Sequence, residues 1–215
     1  MTIEHRTYAD LTAPDSSGMV DQVTAQHERV AARLADVRAC VAVMSGKGGV
    51  GKSLATAALA AACAGRGLRV GLLDADLVGP SAARMSGVDA GGLAVSEEGL
   101  RPASSSAGVR IMSMELLLDD DAPLAWREPE SESFVWRGAQ ERGALREFLA
   151  DVVWGELDLL LVDLPPGTQR LVDLHELLPK LNGLLVLTIP AGASEAAVAR
   201  SMGLARDRDV PILGV

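Results

Sequence analysis

Two lysines lie five residues apart in one glycine-rich stretch, and their spacing predicts a phosphate-binding site. Lys47 and Lys52 are two of only three lysines in the 215-residue chain, whereas the other cationic positions hold seventeen arginines. An ammonium group is a compact charge, and it fits a crowded cradle of backbone N–H groups better than a planar guanidinium does. The stretch therefore favours binding of a triphosphate.

The stretch matches the phosphate-loop pattern G-x-x-x-x-G-K-[ST]. In such a loop the backbone N–H groups surround the β-phosphate, the last lysine contacts the β and γ oxygens, and the hydroxyl binds Mg²⁺. The pattern thus assigns Lys52 to the phosphates and Ser53 to magnesium. A tight strand-to-helix turn without a ligand is the alternative. The residues predicted to bind nucleotide are Gly46, Lys47, Gly48, Gly49, Val50, Gly51, Lys52 and Ser53.

Apolar runs that alternate between strand length and helical periodicity predict an α/β fold. An apolar run at 40–44 precedes the loop, and an alanine-rich helical run at 54–64 follows it. Further strands are predicted at 68–73, 109–114, 157–164, 183–189 and 212–215, and further helices at about 23–37, 139–152, 171–178 and 194–208. This order is typical of a doubly wound, mainly parallel sheet that is flanked by helices and binds ligands at the carboxyl ends of its strands.

Two acidic residues near predicted strand ends complete the expected site. Asp163 closes the apolar run 159–162, which is typical of a buried parallel strand whose end meets a metal ion. We therefore predict that Asp163 joins Ser53 at magnesium. Asp76 follows the second strand, whereas Asp74 is nearer to the strand itself, so we predict that Asp76 orients or activates the attacking water. A capping aspartate and a solvated loop acid are the respective alternatives.

Composition restricts the classes of function. The net charge of −9 argues against a broad nucleic-acid surface, and residues 115–133 carry much of it in a segment predicted to be a solvated loop. No apolar run is long enough to cross a bilayer and the N-terminus lacks an apolar signal core, so we expect a cytoplasmic protein without membrane attachment.

The two cysteines of the chain, Cys40 and Cys63, are predicted to fill the core, and the chain contains no C-x-x-C pair. We divide the chain into a flexible segment and helix at 1–38 and an ATPase domain at 39–215.

The phosphate loop resembles that of the MinD/ParA/nitrogenase-iron-protein class of ATPases. Lys47 lies at the second position of the loop, where the general pattern requires no lysine. In that class the extra lysine crosses a dimer interface to the partner's nucleotide. The resemblance therefore implies an ATP-dependent homodimer with both Lys47 and Lys52 at the catalytic site. A solvated loop residue is the alternative for Lys47.

Three further stretches resemble the Mrp/ApbC-type iron–sulfur cluster carrier ATPases, and this resemblance runs from about residue 37 to residue 215. It implies that Asp76 activates water, that Asp163 serves magnesium, and that the protein delivers iron–sulfur clusters to apo-proteins. MinD and ParA proteins typically lack the Gly-Pro-Ser and Pro-Pro-Gly-Thr combinations. The three stretches are DADLVGPS at 74–81, WRG at 136–138 and DLPPGT at 163–168.

The chain departs from this family pattern in two places. Family members hold the bridging cluster with a C-x-x-C near the C-terminus, one pair from each subunit, and no such pair lies within residues 1–215. Because the chain stops in the apolar run 211–215, we expect it to be a fragment whose cluster site lies further on. The turn at 165–167 is of a kind that can move as a unit in response to the γ-phosphate. Gln169 and Arg170 stand just beyond it, where the family usually has Gly-Asp, which is expected to weaken this switch or change partner contacts.

Two other functions stay open at this point. One is a MinD/ParA-like positioning ATPase that acts on membrane or DNA, against which the acidic balance argues. The other is a nucleotide-binding interaction module that does not turn over ATP. The leading hypothesis is a homodimeric, Mg²⁺-dependent ATPase that carries clusters to apo iron–sulfur proteins.

Overall fold

The computed structural model describes residues 19–89, 93–117, 134–178, 180–190 and 192–215, and within 19–23, 134–141 and 192–197 it describes the backbone alone. The predicted flexible segment at 1–18 and residues 118–133 of the predicted acidic loop lie outside these ranges. The other predicted elements fall inside them.

A seven-stranded sheet forms the centre of the described chain, in the order β5-β6-β2-β7-β1-β8-β9. Its neighbouring strands are parallel except for the β5–β6 pair. Two further strands, β3 and β4, form a separate antiparallel hairpin. The strands are β1 (Cys40–Ser45), β2 (Val70–Asp74), β3 (Ala94–Ser96), β4 (Gly99–Arg101), β5 (Ala103–Ser104), β6 (Arg110–Met112), β7 (Leu159–Asp163), β8 (Gly183–Leu187) and β9 (Ile212–Gly214).

Helices cover both faces of the sheet. Along β1, Ala42 and Met44 enter one buried cluster, whereas Val41 and Val43 enter another. Successive side chains of a strand point to opposite faces, so these clusters are the two sides of one sheet. The helices are α1 (Met19–Arg33), α2 (Lys52–Ala64), α3 (Ala82–Met85), α4 (Phe134–Asp151), α5 (Gln169–Leu177) and α6 (Gly192–Arg206), with a 3₁₀ turn at Met114–Leu117.

The observed elements confirm the predicted α/β class, with three informative differences. The second strand extends to Asp74, so this acid belongs to the sheet and not to the following loop. Helix α4 begins at Phe134, which places the WRG stretch inside a helix. The hairpin was not predicted because its three-residue strands are too short to show apolar alternation, and Val95 within it is 82% exposed. Among the described helices, none has the length and apolar character needed to cross a bilayer.

Candidate functional site

Three central strands end together on the side of the sheet where the phosphate loop begins. This side, formed by the carboxyl ends of the parallel strands, is called the carboxyl edge, and the side formed by their amino ends is the opposite edge. Strand β7 lies between β1 and β2, and its last residue, Asp163, pairs in register with Val43 on one side and Asp74 on the other. The loop at 46–51 then connects β1 to α2. Parallel pairing therefore brings the glycine loop, Asp163 and Asp74 to one edge, as a doubly wound sheet requires of its ligand site.

The backbone of the loop and the start of α2 fit an anion. Gly49 and Gly51 have φ angles of +77° and +82°, in the left-handed region that glycine adopts without strain. No side chain caps α2, and its first helical hydrogen bond runs from the Ala55 N–H to the Gly51 carbonyl at 2.9 Å. The preceding N–H groups therefore have no carbonyl from an earlier turn, which makes this helix end suited to a phosphate.

A largely buried cluster of one cation, one acid and two hydroxyls lies next to the loop, with Ser53 as its partly exposed member. The Lys52 Nζ is 2.8 Å from Asp163 Oδ1, and the two side chains are only 7% and 0% exposed. Ser53 Oγ donates to Asp163 Oδ2 at 2.5 Å, and Thr56 Oγ1 donates to Asp163 Oδ1 at 2.8 Å. A buried ion pair needs such additional partners to offset desolvation. The oxygens of Ser53 and Asp163 are the hard ligands that Mg²⁺ prefers.

Thr56 is a member of this cluster that the sequence analysis did not identify. Its hydroxyl also donates to the Lys52 carbonyl, four residues earlier, at 2.9 Å. A position four residues after the loop lysine lies one helical turn further along the same face. That spacing was the available signal, because it places a hydroxyl where it can hold the acid at the end of β7.

Asp74 is a second buried acid at this edge, on the strand next to Asp163. Its carboxylate is 1% exposed and accepts hydrogen bonds from the backbone N–H groups of Asp76, Ser81 and Ala82 and from the Ser113 hydroxyl. The pKa of Asp74 is raised to about 6, mainly by burial and also by the charge of Asp163, while these backbone donors act to lower it.

Asp76 and Lys47 lie on loops at the same edge, outside the buried cluster. The Asp76 side chain is partly exposed, and its Oδ1 accepts a hydrogen bond from the Gly79 N–H at 3.0 Å. Lys47 is exposed, and its backbone carbonyl accepts a hydrogen bond from Ser45 Oγ at 3.0 Å. The structure thus brings Lys52, Ser53 and Asp163 into contact but leaves Asp76 and Lys47 apart from them. The predicted roles of all five residues stay predictions.

The Pro165-Pro166-Gly167 turn contacts the phosphate loop. The Gly167 N–H donates to the Ser45 carbonyl at 3.1 Å, and a Cβ added at Gly48 would lie 3.9 Å from Pro166 Cγ. A displacement of the 165–167 turn would therefore also displace the phosphate loop, and the reverse holds as well. Just beyond the turn, Arg170 Nη1 donates to the buried carboxylate of Asp173 at 2.9 Å, so the unusual arginine pairs with an acid within α5.

The cysteines lie away from this edge or within helix packing. Cys40 is buried at the start of β1, where burial raises its pKa to about 12, and Cys63 is partly buried on α2. Within the described residues, no group of three or more His, Cys, Asp or Glu side chains could hold a metal ion. The magnesium prediction does not depend on such a group, because it uses one acid, one hydroxyl and phosphate oxygens.

Fold and site together define a P-loop nucleotide-binding protein, and comparison with known proteins gives the family. The family described as "ParA: NUBPL iron-transfer P-loop NTPase" matches residues 36–215. The chain belongs to this family, which confirms the resemblance drawn from its motifs.

Curated relatives and solved structures agree with this assignment. The chain is 39% identical over 196 residues to an iron-sulfur cluster carrier protein of Saccharolobus solfataricus, with 90% of this chain and 63% of the relative covered. It is 37% identical to the cytosolic Fe-S cluster assembly factor CFD1 of Yarrowia lipolytica, with 85% and 62% covered. A nucleotide-binding protein from Archaeoglobus fulgidus, solved in complex with ADP, matches with a TM-score of 0.71 and 37% identity over 87% of this chain and 69% of that one. The chain therefore spans a little under two thirds of the length of these two curated relatives.

Proposed function

We propose that this chain is the ATP-binding and ATP-hydrolysing part of a homodimeric, cytoplasmic iron–sulfur cluster carrier. The observation that carries the proposal is the buried contact of Lys52 and Ser53 with Asp163 beneath an uncapped helix start. Homologues named as cluster carriers and as a cytosolic assembly factor support the class and the compartment. The phosphate loop from Gly46 to Ser53 within the unit 39–215 is the proposed nucleotide site.

Each site residue has one proposed task. Lys52 would exchange its contact with Asp163 for the β and γ oxygens of ATP, and the loop N–H groups would bind the same phosphates. Ser53 and Asp163 would hold Mg²⁺, and the bound ion would neutralise part of the negative charge of the phosphates. Asp76 would accept a hydrogen bond from the attacking water and so orient it. Phosphoryl transfer depends mainly on such positioning and charge, which this edge of the sheet can provide.

Homodimer formation is proposed from the position of Lys47. Its side chain is exposed on the loop that begins the phosphate site, so it can reach a nucleotide bound by a second copy of the chain. We expect Lys47→Ala to bind ATP and yet to lose ATP-dependent dimerisation, measured by sedimentation with and without Mg-ATP. A variant that still dimerises with ATP would contradict this role.

The cargo is proposed to be an iron–sulfur cluster destined for apo-proteins. The two cysteines of the chain lie on β1 and α2 without a C-x-x-C pair, and we assign no cluster ligand to residues 1–215. The chain itself would supply the nucleotide-dependent step that controls cluster release.

The deciding experiment measures ATP turnover and ATP binding on the same preparations. We expect Mg-dependent release of phosphate by the wild-type chain, and neither binding nor turnover by Lys52→Ala. Arg69→Ala, at the opposite edge of the sheet, is the matched control and should leave both unchanged. Measurable binding without any turnover would instead favour a nucleotide-binding interaction module.

A further inference from the structure

Asp74 is a buried carboxylate that the proposed reaction does not use. It ends β2, beside Asp163 in the adjacent strand, yet within the described residues its hydrogen-bond partners include neither Lys52 nor Ser53. Burying a carboxylate is costly unless donors surround it, and a second acid next to Asp163 adds repulsion. Such an arrangement calls for a role that a neutral side chain would not perform.

The donors to Asp74 come from three separate segments. Oδ2 accepts from the Ser81 N–H at 2.8 Å, the Ala82 N–H at 2.9 Å and the Ser113 hydroxyl at 3.2 Å. Oδ1 accepts from the Asp76 N–H at 3.1 Å. One carboxylate therefore joins the end of β2, both ends of the following loop, and the residue that follows β6. Hydrogen bonds to an ionised acceptor are stronger than neutral ones, which suits a fixed backbone.

The loop that Asp74 holds is the one that carries Asp76. The segment from Asp76 to Ser81 leaves β2 and returns to α3, and hydrogen bonds to Asp74 lie at both of its ends. Between them, the Gly79 N–H donates to Asp76 Oδ1, so the side chain of Asp76 is fixed to the same loop. Within this loop Leu77 packs in the core at 3% exposure, whereas Val78 is 65% exposed and adds no packing on the solvent side.

We propose that Asp74 is a positioning residue that fixes the carboxylate of Asp76 for hydrolysis by holding the backbone of its loop. The proposal rests on the proposed ATPase function and adds the part of the protein that sets the geometry of the water-orienting acid. Misplacement by about 1 Å can cost on the order of 100-fold in rate, so a loosened loop should lower turnover without weakening phosphate binding.

Asp74→Asn is the sharpest test because an amide has one acceptor oxygen where the carboxylate has two. The oxygen is expected to face the three donors at Oδ2, which leaves the amide N–H₂ against the Asp76 N–H and breaks that bond selectively. We expect kcat to fall about 10-fold to 100-fold, with KM for ATP within about twofold of wild type. A merely structural role would lower the active fraction in proportion to unfolding, which circular dichroism at the assay temperature would reveal.

The coupling to Asp76 is tested by a double variant. If Asp74 acts through Asp76, then Asp74→Asn combined with Asp76→Ala should be no slower than Asp76→Ala alone. Multiplicative losses would overturn the proposal. Asp158→Asn is the matched control, since Asp158 also accepts a backbone N–H at an end of β7 but lies at the opposite edge, and it should leave both kinetic constants unchanged.

Amide hydrogen exchange separates this proposal from the proposed ATPase function. In Asp74→Asn, peptides that cover 75–83 should exchange at least several-fold faster than in wild type, whereas peptides that cover 47–56 should not change. Equal exchange at 75–83 would overturn the positioning role, whether or not the wild type turns over ATP. Absence of wild-type turnover would overturn the ATPase function alone.

Ser113→Ala is the variant to use if Asp74→Asn does not fold. It removes one donor to Asp74, and we expect faster exchange at 75–83 together with a two- to threefold fall in kcat. Unchanged exchange and unchanged kcat would overturn the proposal.

Discussion

Charged side chains lie at both ends of the β2–β7 strand pair, but they are buried at one end and exposed to water at the other. At the carboxyl end, Lys52, Asp74 and Asp163 are almost fully buried. At the amino end, Arg69 binds Asp158 through its guanidinium, with an Nη2 to Oδ1 distance of 3.0 Å, and also contacts Glu156. Arg69 there is 47% exposed, so water competes for every contact.

The pKa values of two aspartates express this difference. Hydrogen bonds from the Arg69 side chain and backbone lower the pKa of Asp158 to about 2, whereas burial raises that of Asp74 to about 6. The amino end stabilises ionised acids at little desolvation cost, as surface pairs do. The carboxyl end keeps its charges at a cost in stability, which is the pattern expected where charge serves binding or chemistry.

The largest expected effect that would test this contrast is on stability. Lys52→Ala leaves Asp163 buried without its cation, and we expect the free energy of unfolding to fall by about 3 kcal/mol. Arg69→Ala removes an exposed cation and should produce a much smaller change. Urea unfolding of both variants gives the comparison, and equal losses would mean that the two ends do not differ in the way described.

The next largest effect concerns catalysis. We expect Asp76→Ala to retain ATP binding and to lower kcat by about 100-fold, because it removes the group proposed to orient the attacking water. Glu156→Ala, at the amino end, removes an acid of the same charge and should leave kcat unchanged. Steady-state phosphate release measures both. Normal turnover by Asp76→Ala would show that the assignment of this acid is wrong.

The smallest effect depends on pH. The pKa of Asp158 in the folded protein is about 2, below its usual value of 3.8, so ionised Asp158 stabilises the fold at neutral pH. This contribution persists above about pH 4 and disappears as the pH falls from about 4 towards 2. Asp158→Asn should therefore be slightly less stable than wild type at pH 7 and should converge with it at low pH. A constant difference across that range would exclude the linkage.

The sequence predicted the functional residues that lie close together along the chain. The phosphate loop and the acid that closes β7 are local patterns, and the structure brings Lys52, Ser53 and Asp163 together. The bonds to Asp74 could not be predicted in the same way. Ser113 is 39 positions from Asp74, and their contact depends on the parallel register of β2 with β6, which apolar periodicity does not specify.

The central place of β7 also determines when the site can exist during folding. Asp163 meets the end of β1 and the end of β2 only after β7 has inserted between two strands that precede it in the chain by about a hundred residues. Parallel strand pairs that are this far apart in the sequence form slowly, because the entropy cost of closing the loop comes before the contacts that offset it. A growing polypeptide therefore lacks the acid proposed to bind magnesium until most of the domain has been synthesised. Competence to bind Mg-ATP should consequently appear late, as one of the last properties the folding chain acquires.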